Sequence, residues 1–383
     1  MFFRLLPEIY LINGKSKSLL QNILDKKYLW IHNDLAQIIK DCEENNPIPE
    51  NFKDILSILA QKKWGTLSEK TIFVDKFRLT NIFNEKKFFK DVPYIHSAVL
   101  KLTNDCNLSC DNCFSAFCPI CFKSKNKIKD VLSLDEWKDT ILNLHKFGCK
   151  SILLTGGEST LYPHFRDLYD FILSLGILPT ICTNGLRALN SYDTTQTHII
   201  IPIFNLSNIL SIIGNFKKYK KVTLVFCCRV DEKTKKLLPQ NWKYINSSTC
   251  YPIIQKDNLI NMDVFNFFAR KDKNQCLNGK IAILENGDVY PCLGACTSKV
   301  NVKNNCLSYY NLDQNVLKDK KVGNVKNDLW IDIIKRLMRN FWSHKIDNNP
   351  KCYGCEFRYT CNSCLFNDVD KNCTYNVEGA VWK

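Results

Sequence analysis

Hydrophobic and polar positions follow three different rhythms along the chain. Up to about residue 90 the apolar runs are short: Phe2–Leu6, Ile9–Ile12 and Lys27–Ile31, with an Asn-Gly turn signal at Asn13-Gly14. Short runs punctuated in this way predict strands and a hairpin. Asn33 and Asp34 then open a helical segment, Leu35–Ile39. Phe52, Ile55, Leu56, Ile58 and Leu59 form the stripe of a second helix, from about Pro49 to Lys62. Residues 1–90 are expected to be a separate small α+β unit.

The middle of the chain changes rhythm. Between Pro93 and Ser248, buried-strand patterns recur at Ser97–Leu102, Lys150–Leu154, Leu178–Cys182, Thr197–Ile203, Val222–Cys228 and Tyr244–Asn246. Helical patterns intervene at Leu134–His145, Tyr162–Leu175 and Leu206–Phe216, the first capped by Ser133 with Glu136 three residues on. Such alternation predicts parallel strands with crossover helices, and six units fit a partial (β/α)6, TIM-like barrel over residues 91–255. In the last part, residues 256–383, Asn286-Gly287 predicts a hairpin between Ile281–Leu284 and Asp288–Tyr290. Leu329–Phe341 reads as an amphipathic helix, with Trp330, Ile333, Ile334, Leu337 and Phe341 on one face and Lys335, Arg336 and Arg339 opposite. It is expected to cover the nearby cysteines rather than to contact nucleic acid.

Composition narrows the class. The formal charge of +15 raises the question of nucleic acid, but the lysines are spread along the chain with abundant asparagine and isoleucine. A solvated basic surface is expected, with an acidic or flexible peptide as the alternative partner. Met1-Phe-Phe-Arg-Leu-Leu-Pro lacks the basic start and long apolar core of a secretory signal, and His198–Gly214 is broken by Pro202, Asn205 and Asn208. With 20 cysteines and no such signal, metal ligation is favoured over disulfides, and a reducing cytoplasm without membrane attachment is the expected location.

The chemistry centres on Cys106-Asn-Leu-Ser-Cys110-Asp-Asn-Cys113, which follows a predicted strand. Three thiolates so spaced can reach three corners of one iron–sulfur cube and leave the fourth iron open to react. Leu153-Leu154-Thr155-Gly156-Gly157-Glu158 is a buried strand ending in paired glycines and a carboxylate. Glycines permit close backbone approach, and the carboxylate can accept hydrogen bonds from an ammonium. Ile181-Cys182-Thr183-Asn184-Gly185 ends the next strand in the same manner. These three segments all fall after predicted strands, at the carboxyl face where barrel sites lie.

Together, CNLSCDNC, TGGEST and CTNG resemble the radical S-adenosylmethionine (SAM) superfamily. The resemblance implies that Cys106, Cys110 and Cys113 hold a [4Fe–4S] cluster whose open iron chelates SAM. It also implies that Gly156, Gly157 and Glu158 line the methionine end of SAM, with Asn184 a further cofactor-binding candidate. The family places an aromatic before the third cysteine to touch adenine. Asn112 stands there in this chain and Phe114 follows, so Phe114 is the candidate for that contact. Arg229, after the fifth strand, could hold the SAM carboxylate. Cys118-Pro-Ile-Cys121 lies in the same loop, and two thiols alone do not complete a metal site. Cys42, Cys149, Cys182, Cys227 and Cys228 read as buried small hydrophobes.

A second constellation occupies the carboxyl third: Cys276, Cys292, Cys352, Cys355, Cys361, Cys364 and Cys373. The hairpin would bring Cys276 and Cys292 together. A zinc ribbon would use four such ligands and leave three over, which favours two clusters. The pattern resembles the SPASM extension of radical SAM enzymes, which houses two auxiliary [4Fe–4S] clusters. The resemblance assigns Cys352, Cys355, Cys361 and Cys373 to one cluster and Cys276, Cys292 and Cys364 to the other. The usual cysteine just upstream of Cys276 is absent, and only two residues separate Cys361 from Cys364. Cys250, Cys296 or Cys306 could complete the second set; otherwise one iron stays open to substrate.

Cys355-Glu-Phe-Arg-Tyr-Thr-Cys361, Cys373-Thr-Tyr and Val92-Pro-Tyr-Ile-His-Ser-Ala are similar to the grasp-with-spasm peptide maturases. The amino-terminal unit resembles the winged-helix-like peptide-recognition domains of enzymes that modify ribosomally made peptides. These resemblances imply reductive cleavage of SAM, with electrons from a flavodoxin or ferredoxin. A 5′-deoxyadenosyl radical then takes a hydrogen atom from a precursor peptide, beside an ATP-grasp ligase. The expected product is an oxidised or cross-linked side chain. A sulfatase-maturing type, a peptide epimerase using Cys118, Cys121 or Cys182 as hydrogen donor, and a non-enzymatic zinc or cluster protein are the alternatives.

Overall fold

Apolar residues at every second position give each central strand one face that must be kept from water. The computed structural model describes residues 1–77, 95–108, 121, 130–189, 192–226, 228, 230–246, 267–268, 271, 277–296, 299–303, 306–310, 320–343, 345–348 and 350–359. In it these faces line up side by side. The strands are β6 (Ser97–Lys101), β7 (Ser151–Thr155), β8 (Leu178–Cys182), β9 (His198–Ile203), β10 (Lys221–Phe226) and β11 (Lys243–Asn246), each parallel to the next. All six match the expected positions within a residue or two. Ala98, Leu100, Ile152, Leu154, Ile181, Ile199, Ile201 and Leu224 form the covered face.

Three amphipathic helices lie against that face. They are α3 (Leu134–Lys146), α4 (Phe165–Ser174) and α5 (Ile209–Phe216), contributing Trp137 and Ile141, Leu168 and Ile172, and Ile212 and Phe216. The start of α3 is the expected capping box: Ser133 accepts from the Glu136 backbone N–H at 3.3 Å, and the Glu136 carboxylate accepts from the Ser133 N–H at 2.7 Å. A shorter helix, α6 (Glu232–Leu237), capped by Asp231, was not anticipated, because its single turn and a half carries little periodicity.

The carboxyl-terminal hairpin joins the same sheet. β12 (Lys280–Ile283) and β13 (Asp288–Tyr290) turn at Gly287, whose φ of +85° explains the glycine. β12 pairs in parallel with β6; β14 (Lys299–Lys303) and β15 (Cys306–Tyr310) pair with each other outside this sheet, and β13 pairs antiparallel with the short β16 (Gly323–Asn324). The resulting mixed sheet has the order β11-β10-β9-β8-β7-β6-β12-β13-β16. The hairpin was legible in the sequence; its place beside β6 was not. The helix from Trp330 to Leu337 buries Ile333, Ile334 and Leu337 in the main core, and Trp330 stacks on Phe147. Its apolar face seals the sheet; of the cysteines it was expected to cover, Cys292 packs against the same core, and Cys276, Cys361, Cys364 and Cys373 lie outside the described residues.

The amino-terminal unit has its own core. β1 (Phe2–Leu5) pairs with β5 (Gly65–Ser68), and β2 (Ile9–Ile12), β3 (Ser18–Asn22) and β4 (Lys27–Ile31) form an antiparallel sheet. α1 (Asn33–Glu43) and α2 (Lys53–Gln61) supply Ile39, Leu56 and Leu59 to the cluster around Phe3 and Leu20. Asn13-Gly14 does mark a hairpin, but inside the longer connection from Ile12 to Ser18. β3 and β5 escaped notice because serine, threonine and glutamine dilute their apolar signal, although all five residues of β3 are buried. The other face of this sheet packs against Phe267, Phe268, Phe357 and Tyr359. Among the described residues no helix is long and apolar enough to cross a membrane.

The Ser133 cap yields a direct check. Ser133→Ala is expected to lower the local stability of α3 by about 1 kcal/mol, read by native-state hydrogen exchange of its first-turn amides.

Candidate active site

The opposite face of the sheet carries buried polar side chains, with Lys101, Thr155 and Cys182 at the carboxyl ends of their strands and Thr223 within β10. Lys101 stands opposite Thr155 in the register, Cys182 opposite Ile200, and Ile200 opposite Thr223. The chain leaves β6 through Thr103, Asn104 and Asp105 and reaches Cys106, a partly exposed thiol whose sulfur accepts from the Leu108 N–H at 3.5 Å. This stretch nests directly on the turn after β7. Gly157 donates its N–H to the Thr103 carbonyl at 2.9 Å, and Glu158 donates its own to the Asp105 carbonyl at 2.7 Å.

The paired glycines are there for this contact. A Cβ on Gly156 would stand 2.6 Å from the Thr103 oxygen, and one on Gly157 would stand 2.4 Å from the Asp105 oxygen. The space was expected to admit a ligand; in the structure it admits the backbone of the cysteine loop.

Glu158 ties the next strand in. The residue is 2% exposed. One oxygen accepts from the Thr160 N–H (3.1 Å) and hydroxyl (2.7 Å), and the other from the Asn184 N–H at 2.6 Å. A carboxylate offers about four acceptor positions, so the second oxygen keeps one for an ammonium. The Asn184 side chain donates to Asn107 Oδ1 at 2.6 Å, inside the cysteine motif. Thus Cys106, Gly156, Gly157, Glu158 and Asn184 meet in one hydrogen-bonded cluster. Asn107 is an added member that residue type alone did not reveal.

Cys121 returns to this cluster. Its thiol hydrogen-bonds Cys182, and that contact, burial and the nearby Cys182 and Glu158 charges push it well above the usual thiol range. Cys121 is therefore held as a protonated thiol against Cys182, near Glu158. Cys110, Cys113, Phe114, Cys118 and Arg229 lie outside the described residues, as do Cys276, Cys361, Cys364 and Cys373. Cys292 is half-buried after β13, and Cys352 and Cys355 share a tight turn in which the Cys355 N–H donates to the Cys352 carbonyl at 2.9 Å. None of Cys42, Cys106, Cys121, Cys149, Cys182, Cys228, Cys292, Cys352 and Cys355 is in a disulfide, and among the described residues no three Cys, His, Asp or Glu side chains form a metal-holding group.

One buried charged pair was missed. Lys101 and Glu285 form an ion pair at 2.5 Å with side chains 0% and 1% exposed, and Lys101 also donates to Asn104 Oδ1 at 3.3 Å. The second Glu285 oxygen is buried without a hydrogen-bond partner. A lysine inside the apolar run Ala98–Leu102 was the available signal. The pair bolts the cysteine loop to the hairpin that carries Cys292.

With this geometry in place, comparison with known proteins defines the class. Residues 100–223 match the Radical SAM superfamily model. The chain carries a radical SAM domain, and its class is that of an enzyme. It is 30% identical over 118 residues to the sporulation killing factor maturation protein SkfB of Bacillus subtilis, covering 31% of this chain and 26% of that protein. It is 24% identical over 216 residues to the antilisterial bacteriocin subtilosin biosynthesis protein AlbA of the same organism, covering 54% and 44%. An S-adenosylmethionine-dependent nucleotide dehydratase of a Thermoplasmatales archaeon matches at 30% over 94 residues, covering 24% and 31%. The chain thus spans less than half the length of these curated relatives. Among solved structures, Streptococcus suis SuiB bound to precursor peptide SuiA overlays with a TM-score of 0.47 at 14% identity, over 94% of each chain.

Two outcomes follow from the site. Gly157→Ala is expected to displace the cysteine loop, lowering iron uptake on anaerobic reconstitution and costing about 1–3 kcal/mol. Gly214→Ala, where a Cβ meets nothing within 4 Å, is the control. Lys101→Met or Glu285→Leu alone is expected to cost about 3–5 kcal/mol, by stranding a buried charge, and the double variant to regain most of it. Denaturant titration of the four proteins checks this.

Proposed function

We propose that the protein is a radical SAM peptide maturase acting on a ribosomally made precursor peptide and leaving an oxidised or cross-linked side chain. The observation that carries the reading is the hydrogen-bonded nest of the Cys106 loop on Gly156, Gly157 and Glu158, closed by Asn184. The names of SkfB and AlbA, a maturation protein and a bacteriocin biosynthesis protein, support a peptide as substrate.

The residues fit the group they are proposed to hold. Cys106 presents a partly exposed thiol shortly after a strand end, and Cys110 and Cys113 would complete the cluster. When bound, the [4Fe–4S] cluster and SAM supply a 5′-deoxyadenosyl radical. Glu158 would take the SAM ammonium on its remaining acceptor position. Burial strengthens that contact by excluding water. Gly156 and Gly157 keep the cysteine loop seated, Asn184 pins it from the neighbouring strand, and Phe114 and Arg229 would contact adenine and carboxylate. The peptide would be received beside this cluster, at the carboxyl ends of the strands of a partial barrel.

The finer reading has further parts. Cys276, Cys292 and Cys364, and Cys352, Cys355, Cys361 and Cys373, would hold two auxiliary clusters in a SPASM domain. The subtype would be grasp-with-spasm, working beside an ATP-grasp ligase. A flavodoxin or ferredoxin would deliver electrons in a reducing cytoplasm.

A second reading is favoured by the Cys121–Cys182 pair. A protonated thiol beside the site can return a hydrogen atom to a peptide radical, as a radical epimerase requires. Reaction in deuterated water separates the two. Epimerisation adds one deuterium to the peptide, whereas oxidation or cross-linking removes hydrogen.

The primary test is SAM cleavage. Anaerobically reconstituted protein with dithionite is expected to release 5′-deoxyadenosine, and Cys106→Ala or Cys110→Ala to abolish it. Zinc without iron in the purified protein, or unchanged cleavage in both variants, would remove the proposal.

A further inference from the structure

The amino-terminal sheet does not end in solvent. β3 is buried on both sides: Leu20 faces the unit's own core, whereas Leu19 joins Ile12 and Ile23 against Phe267, Phe357 and Tyr359. Trp30 of β4 meets the Phe357 ring edge-on, with centroids 5.1 Å apart, and Tyr10 of β2 lies 5.1 Å from Phe267. These aromatics come from segments far apart in sequence. Their shared burial makes the two ends of the chain one packed body at this place.

The contact is closest at the cysteines. The connection between β2 and β3 wraps the turn that holds Cys352 and Cys355. Lys15 donates its N–H to the Gly354 carbonyl at 2.8 Å, and Arg358 donates to the Asn13 carbonyl at 2.8 Å. Arg358 also donates to the Cys355 carbonyl at 2.9 Å and to Asp347 at 2.7 Å, so one guanidinium spans both partners. A Cβ on Gly14 would stand 2.6 Å from a Glu356 carboxylate oxygen and 2.2 Å from the Lys17 carbonyl. Glycine is needed there to let the turn close over Glu356.

We infer that the β2–β3 turn is a positioning part of the carboxyl-terminal cysteine site, so that loading of Cys352 and Cys355 with an iron–sulfur cluster depends on the amino-terminal unit. This rests on the reading of those cysteines as cluster ligands. Thiolates must converge within a fraction of an ångström to bind a cube, and a CxxC turn with nothing behind it loses that geometry. Here the support comes from the opposite end of the chain. The amino-terminal unit thereby shapes the metal site.

The test compares full-length wild type with Gly14→Val and Trp30→Ala, both on the amino-terminal side and outside that unit's own core. Each is reconstituted anaerobically with iron and sulfide, and metal content is measured alongside the electron paramagnetic resonance signal of the reduced protein with and without SAM. The expected result is a loss of about four irons per chain in either variant, with the SAM-sensitive signal retained. Wild-type iron content in both variants overturns the inference, as does equal loss of the SAM-sensitive cluster in both. If Gly14→Val does not fold, Trp30→Ala decides alone by the same criteria. A wild type that takes up no more than about four irons would instead remove the reading of the carboxyl-terminal cysteines as ligands, and the inference with it.

Discussion

Backbone-to-backbone contact between two strand ends sets the geometry of everything around the site. Residues 103–105 lie so close to Gly156 and Gly157 that no side chain fits between them, and two main-chain hydrogen bonds hold them there. The loop that begins with Cys106 is thereby aimed before any ligand arrives. Glu158 then extends the arrangement sideways to β8, using its carboxylate as a bridge between main-chain and hydroxyl donors. A site made in this way is preorganised by the sheet, since each of its parts sits at the end of a buried strand.

The sheet itself is divided by chemistry. One face is isoleucine, leucine and valine under three helices; the other carries Lys101, Thr155, Cys182 and Thr223. Alternation along a strand delivers both at once, because neighbouring residues point opposite ways. The polar face costs desolvation, and the structure meets that cost with local pairing: Lys101 with Glu285, Cys121 with Cys182, and His198 with Thr223 at 2.9 Å.

Local signals in the sequence were good guides to local structure. Periodicity located the six parallel strands, the Ser133 cap and the hairpin at Gly287, because each depends on residues within a few positions of one another. The cluster of Cys106, Gly156, Gly157, Glu158 and Asn184 was also legible, since each lies at the end of a recognisable strand. What escaped depends on distance along the chain. Nothing near Glu285 announces Lys101 as its partner, and nothing near Trp30 announces Phe357. Short, polar-diluted strands such as Ser18–Asn22 were lost for another reason: their burial is conferred by what packs on them and not by their own composition.

The parallel pairing of β6 with β12 has a consequence for how the chain is made. β6 is an interior strand, but its neighbour on one side is synthesised some 180 residues later. At a ribosomal rate of about 5–20 residues per second, the β6 edge waits on the order of 10–40 s for its partner. During that interval its amides and carbonyls are open to pairing with any passing strand, and the lysine that will be buried at its tip is still hydrated. The nascent protein is thus most vulnerable to misassembly just before its last third emerges.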